Sequence, residues 1–392
     1  MKEASMAAAP KKDLVDTSIA SKVEQIKALP YATSIVSEDV IERNFGYKII
    51  RQQVSSGRNS MIYKCESVRR PDSFCLIKPY KQGKEKIKQT IHEETCQIMR
   101  YVTGKSPLII STYDIFYTNE KIYVMCDWSQ KGEVLSCLKA KTVRLTENVV
   151  QLWAVDILNA IQFLHNNAIC HRNVAPSCLL LTNENRVKIG TMSDACIYCK
   201  PDGTVVKQKW TKFSRDVNWN QPPEVAKLKP FDMRRAEIWS IGATVFWFIC
   251  RLYPIDYRSS QRLTKQLDYR MSFMKRVSRK CQSFVKQMLT FQPGQRPTLQ
   301  QALEMEWITG TASPAPSQVK PSAHTPGSPE ASGVEASRSK MKPSSAGQQQ
   351  VSQVPAPSPE LPITEVTPAD NGEAAGPEEV TAAETPAEEP EA

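Results

Sequence analysis

The sequence has no apolar run between Met1 and Pro10, and nowhere in its 392 residues do 18 apolar residues follow one another. The first absence speaks against a secretion signal and the second against a membrane-spanning helix. Histidine is scarce, at four residues. "CIYC" (Cys196 to Cys199) has the spacing of zinc or redox sites, but no second Cys or His pair stands where it could complete a metal centre. The eleven cysteines are odd in number and scattered through apparent strands and helices. Without a secretion signal they read as reduced thiols of an intracellular, cytoplasmic protein. Aromatics run out at Thr311, and from there to Ala392 Pro, Ala, Ser, Thr and Glu dominate. Such a segment cannot bury enough apolar surface to offset its ordering entropy, so residues 311–392 are expected to form a disordered tail. Internal repeats are absent as well, which sets aside solenoids and propellers.

Charge divides at the same boundary. The tail carries 12 acidic and 4 basic residues, a net of −8, and the whole chain is +10, which leaves residues 1–310 at +18. A basic body with an acidic tail suggests an acidic partner or a tail that folds back and screens the body, while plain solubility accounts for the same numbers. Residues 258–280 alone contain eight Lys or Arg and one Asp. They read as an acidic-partner site or, more plainly, as a solvated helical face. No recognisable nucleic-acid module accompanies this charge, so nucleic acid is disfavoured as a partner.

Along the chain, residues 11–29 place Val15, Ile19, Val23 and Ile26 on one helical face and stop before Pro30. A short helix is therefore expected within an N-terminal extension over 1–44. From Tyr47 to Val124 short β-branched and aromatic runs take over ("YKIIRQQV", "MIYKCESV", "SFCLIK", "KIYVMC"), interrupted by the helical "KIKQTIHEETCQIMRYV". That pattern is a small sheet with one helix on it. Beyond residue 130 the chain turns helical. "VVQLWAVDILNAIQFLHNN" is amphipathic, and "AEIWSIGATVFWFICRLYP" is apolar on nearly every face, as a core helix would be. Helices around 281–291 and 298–306 close the body.

This order of motifs resembles the protein kinase superfamily over residues 45–310. "CLIK" stands where kinases have their strand lysine, which makes Lys78 the candidate, and "HR" at His171–Arg172 opens the catalytic loop. "PPE" at Pro222–Glu224 ends the activation segment, "EIWSIG" lies on the buried helix, and "QRPT" supplies Arg296. Phrases such as "IISTYDIF" and "LYPIDYRSS" look like the calmodulin-kinase-like branch and its testis-specific serine kinases. The resemblance implies an α+β, two-lobed fold, with a β-rich N-lobe over 45–128 and a larger helical C-lobe over 129–310. It also implies a buried Glu224–Arg296 ion pair, with Trp239 and Gly242 helping to hold the helical lobe.

The same resemblance exposes what has been lost. A kinase needs a carboxylate to orient the attacking hydroxyl, and an Asn and an Asp to hold Mg²⁺ against the phosphates. Where the family has "HRDLKPEN" this chain has "HRNVAPSC". Asn173 replaces the base, and an amide oxygen cannot take that proton at neutral pH. Ala175 replaces the lysine that neutralises the moving phosphoryl group. Cys178 replaces the metal-binding Asn, and a thiol is a poor ligand for a hard cation. "VKIGTMSDA" aligns with "VKIADFGLA", so Thr191 stands in place of the magnesium carboxylate. Asp194 follows three residues later, and alternation along an extended segment would turn it away.

The glycine-rich loop is altered too: Ser55, Gly57, Ser60 and Ile62 occupy its patterned positions, and only Gly57 keeps the glycine. Leu76, where the family has Ala, would crowd the adenine pocket. Glu93, Glu94 or Thr95 stands at the position that pairs with the strand lysine. Glu237 replaces the usual Asp of the buried helix and, one methylene longer, is expected to shift its brace on the catalytic loop. Met192 still supplies an apolar side chain above His171. The resulting expectation is a pseudokinase with no metal and at most weak, metal-independent ATP binding at Lys78 and Gly57. It would bind other proteins, whether an acidic partner or an active kinase. The alternatives are a nucleotide-binding switch without chemistry and a very weak atypical Ser/Thr kinase. Ser313, Thr325, Ser328, Ser358, Thr367 and Thr385, each followed by Pro, would offer sites to proline-directed kinases.

Overall fold

The computed structural model describes residues 15–57, 60–67, 74–79, 93–118, 121–127, 129, 131–207, 220–226, 230–257 and 259–310. The expected tail, with its Ser/Thr-Pro pairs, lies outside the described residues. So does Arg258.

The first described segment is built into the domain. Helix α1 (Thr17–Lys27) starts where the Asp16 side chain accepts the Ser18 amide, and it buries Ala20, Val23 and Ile26 on one face. Strand β1 (Thr33–Ser34) and helix α2 (Asp39–Phe45) follow. Helix α2 ends at Gly46, whose φ of 72° is the left-handed turn that glycine adopts without a steric penalty. Next come β2 (Tyr47–Gly57), β3 (Ser60–Ser67), β4 (Phe74–Pro79), helix α3 (Glu93–Val102), β5 (Thr112–Tyr117) and β6 (Lys121–Cys126). The strands form one sheet in the order β1-β5-β6-β4-β3-β2, antiparallel except for the β1–β5 pair.

Helix α1 lies against α3, and side chains of α3 fasten the chain that leaves it. Gln97 Nε2 donates to the Lys27 and Leu29 carbonyls at 3.0 and 2.8 Å, and Arg100 Nε donates to the Tyr31 carbonyl at 3.3 Å. At the other end, the Val15 amide donates to the Gly203 carbonyl at 2.9 Å. Residues 15–46 thus form a strut from the turn at Gly203, across α3, to the edge of the sheet. The apolar spacing of residues 15–26 indicated the helix. Its seat on α3 depends on backbone carbonyls, which leave no trace in a hydrophobic pattern.

The helical lobe contains α4 (Val134–Lys139), α5 (Glu147–His165), the short strands β7 (Ile169–Cys170), β8 (Leu179–Leu181), β9 (Val187–Ile189) and β10 (Cys196–Ile197), then α6 (Pro223–Ala226) and α7 (Met233–Cys250). It closes with α8 (Leu263–Met271), α9 (Arg279–Met288), α10 (Leu299–Leu303) and α11 (Glu306–Thr309). Helix α7 is buried on every face, as its uniformly apolar sequence requires. It packs so closely on α9 that a Cβ at Gly242 would sit 2.6 Å from Met288 Cβ. Trp153 of α5 meets Phe248 of α7 edge-on at 5.0 Å. Among the described residues no helix is long and apolar enough to cross a membrane.

Candidate active-site cleft and its family

The segment from His171 to Cys178 is held by the elements beneath it. Strand β7 feeds it and pairs antiparallel with β10, which leads into the activation segment. Glu237 of α7 accepts the Arg172 amide through Oε1 at 2.5 Å, and its Oε2 lies 2.5 Å from His165 Nε2. The Glu237 side chain thus spans both partners. Arg172 has a φ of 66°, a conformation that non-glycine residues keep only where the surroundings impose it, and the Glu237 bond to its amide is one such imposition. Further along, Asn220 Nδ2 and Thr244 Oγ1 both donate to the Val174 carbonyl, at 3.1 and 3.2 Å.

The four altered positions are occupied by groups already committed to other bonds. Asn173 donates its amide N–H to His171 Nδ1 at 3.3 Å and its side-chain Nδ2 to Asp194 Oδ2 at 2.9 Å. The His171 ring also donates through Nε2 to the Thr191 carbonyl at 2.6 Å, so a single tautomer satisfies both contacts. The Cys178 thiol turns inward and donates to the Ala175 carbonyl at 2.9 Å, while the Ala175 amide points at the sulfur from 3.3 Å. Burial pushes that thiol up to about 12, so it remains a protonated donor at neutral pH. Thr191 Oγ1 lies 3.0 Å from Ser193 Oγ. At Gly190, where the family carries Ala, a Cβ would collide with Leu180 Cγ at 2.5 Å. Met192 is buried in the core that joins the helices.

Asp194 corrects the sequence reading. The chain does not continue extended through Ser193 and Asp194 but turns there, closed by the bond from the Ala195 amide to the Met192 carbonyl. Two-residue alternation does not hold in a turn, and the carboxylate swings back to Asn173. Ser and Asp are turn-forming residues because their side chains bond the nearby backbone, so "SD" carried the signal.

The upper wall of the cleft is set by α3. Thr95 is buried and donates to the Ala195 carbonyl at 3.1 Å, and Glu94 Oε1 accepts the Ile197 amide at 2.9 Å. Two of the three candidates for the partner of the strand lysine, Glu94 and Thr95, therefore bond the backbone that follows Asp194. Lys78 stands in β4 opposite Ile122, and Leu76 stands opposite Val124; their side chains lie outside the described residues. Gly57 pairs with Ser60 and Ser55 with Ile62, and the tip between them, residues 58 and 59, also lies outside the described residues. Below the cleft, the fully buried guanidinium of Arg296 makes a two-pronged pair with Glu224, at 2.6 and 2.8 Å. Its remaining N–H groups reach the carbonyls of Thr290, Arg235 and Phe291.

Residues 49–308 match the family model described as the protein kinase domain. The chain belongs to the protein kinase family. Curated relatives include the serine/threonine-protein kinase kin-29 of Caenorhabditis elegans, 26% identical over 203 residues, and ppk25 of Schizosaccharomyces pombe, 26% identical over 206. Mouse sperm motility kinase 3A is 27% identical over 206 residues. Each alignment covers 52% of this chain, but only 24%, 47% and 39% of the respective relatives. The chain thus spans less than half the length of the relatives it matches.

In the frame of a kinase domain, the structure places Asn173, Ala175, Cys178 and Thr191 together around one loop. It adds one group that sequence reasoning set aside, the Asp194 carboxylate. It also adds the Glu237–His165 contact and the Asn220–Thr244 support of Val174, neither of which produces a recognisable motif.

Proposed function

We propose that this member of the kinase family is a pseudokinase that works by presenting its folded surface to other proteins. The observation that carries this reading is the state of Cys178 and Thr191. A hard divalent cation seeks carboxylate or amide oxygens. One position here holds a protonated thiol bonded to its own loop, and the other holds a hydroxyl beside a second hydroxyl. The donor set does not fit the two magnesium ions that kinases hold against ATP. The fold, in contrast, keeps three braces around the altered loop: Glu237 under Arg172, Arg296 on Glu224, and Asn220 under Val174. The branch we assign is the calmodulin-kinase-like one, near the testis-specific serine kinases. We place the protein in the cytoplasm on the strength of its ten described cysteines, all buried free thiols.

Nucleotide provides the test. A ligand at 100 times its Kd stabilises a fold by about 2.7 kcal/mol, which at roughly 2 °C per kcal/mol moves the melt of a domain this size by about 5 °C. Millimolar ATP is expected to leave the melting temperature unchanged, with or without Mg²⁺. A clear upward shift that vanishes in Lys78→Ala would favour the nucleotide-switch reading instead. A second reading, a very weak kinase, has one observation behind it: the Asp194 carboxylate lies 2.9 Å from the Asn173 amide, beside the position of the missing base.

A further inference from the structure

The densest positive stretch of the body has a definite face. Helix α8 turns Gln266 and Leu267 inward, where Gln266 accepts the Asp256 amide and donates to the Gln261 carbonyl. The single 3₁₀ turn that follows, Ser272–Arg276, buries Met274. Toward solvent lie Arg262 just before α8, Lys265 and Tyr269 on one face of it three and four residues on, and Arg276 at the end of the 3₁₀ turn. Phe273 between them is partly buried against the core. Arg262, Lys265, Lys275, Arg276 and Arg279 are exposed, and none of them forms an ion pair among the described residues. Lys280, by comparison, is held by Glu306 at 2.6 Å. From 259 to 280 the only acidic residue is Asp268.

At the centre of this face stands Tyr269, 68% exposed, with its ring edge-on to Phe273 at 5.2 Å. Only Val36 joins it as a strongly exposed large apolar side chain among the described residues. An aromatic ring kept in water, backed by a second ring and flanked by unneutralised cations, has the composition of an interface centre, where Tyr and Arg carry much of the binding energy. The cations span roughly 20 Å along the helix, the length of six or so residues of extended peptide. Binding a single strand of nucleic acid would call for a row of aromatic platforms. Here one ring is exposed.

From this geometry we infer that the α8 face is a docking site for an acidic peptide segment of a partner protein, one with an apolar side chain among its carboxylates. The apolar group rests on Tyr269 and Phe273, and the carboxylates meet Arg262, Lys265 and Arg276. This inference rests on the reading of the body as a binding module, and it names where that module binds and the chemistry it selects.

The test uses the full chain and a fluorescein-labelled peptide of about twenty residues, rich in Glu with two Leu, followed by anisotropy. Affinity is expected to fall about tenfold or more in Lys265→Glu/Arg276→Glu, and several-fold in Tyr269→Ala. Lys286→Glu, exposed on α9 and off this face, is expected to bind like wild type. Raising salt from 50 to 200 mM should weaken wild-type binding far more than binding by the double variant. Equal affinity in wild type and the double variant would overturn the assignment. So would an absence of binding at low salt, or tighter binding of an oligouridine probe through the same residues. Phosphotransfer measured on the same samples keeps the two claims apart. Turnover with the docking pattern intact sinks only the pseudokinase reading, and failed docking without turnover sinks only the site.

Discussion

Incubated with radiolabelled ATP, Mg²⁺ or Mn²⁺ and a basic protein substrate, the purified chain is expected to transfer phosphate no faster than background. Each preorganised electrostatic group of an active site contributes about 3–4 kcal/mol to lowering the barrier, or 10²–10³ in rate. In the pseudokinase reading proposed above, Asn173, Ala175, Cys178 and Thr191 stand in place of the base, the phosphate-neutralising lysine and both metal ligands. These losses do not sum, because each disabled part makes the next matter less, but two independent ones already remove about 10⁴–10⁵. Asn173→Asp alone is expected to leave the assay at background, since a single carboxylate does not rebuild a metal site whose thiol faces Ala175. Turnover that disappears in Lys78→Ala or Asp194→Asn would overturn this expectation and make Asp194 the carboxylate of a slow kinase.

The second large effect concerns the fold itself. Arg296 is fully buried, and all five of its N–H donors are used: two on Glu224 and three on backbone carbonyls. Its guanidinium also lies 5.2 Å over the Trp239 ring. Removing one partner of a buried pair leaves the other charge uncompensated, which costs about 3–5 kcal/mol. In Arg296→Ala the Glu224 carboxylate and the freed carbonyls would all lose their donor. Against a typical stability of about 5–15 kcal/mol, thermal melting of this variant should show a large loss of stability or a collapse in soluble yield. A melt within a degree or two of wild type would mean that the pair does not hold the lobe.

How far the sequence foretold these features depends on the kind of interaction involved. The Glu224–Arg296 pair and the uniformly buried α7 follow from motif order and from an apolar pattern on every helical face. The four altered positions follow from the same alignment, because a missing carboxylate is visible as a letter. Asp194 was misread because an extended-chain rule was applied across a Ser-Asp turn, where local hydrogen bonding sets the direction of the side chain. For the N-terminal extension the sequence pattern indicates a short helix and nothing of the strut that residues 15–46 form. Its attachments are bonds from Gln97 and Arg100 to main-chain carbonyls, and any residue sequence supplies those. The stripe through Tyr269 falls between these cases: its charge was plain in composition, and its aromatic centre emerged only once α8 had an inner and an outer face.

Partner binding is expected to follow the fold and not the chemistry of the cleft. The most direct measurement is quantitative mass spectrometry of proteins captured by the full chain as wild type, as Lys78→Ala/Asp194→Asn and as Arg296→Ala. The double variant removes the last groups that could serve nucleotide or proton transfer, while Arg296→Ala removes the anchor of the helical lobe. The expected result is that the double variant keeps the wild-type partner set at wild-type ratios and that Arg296→Ala loses it. Partners lost from the double variant but retained by Arg296→Ala would show that the cleft, and not the folded surface, does the work, and would contradict the central claim.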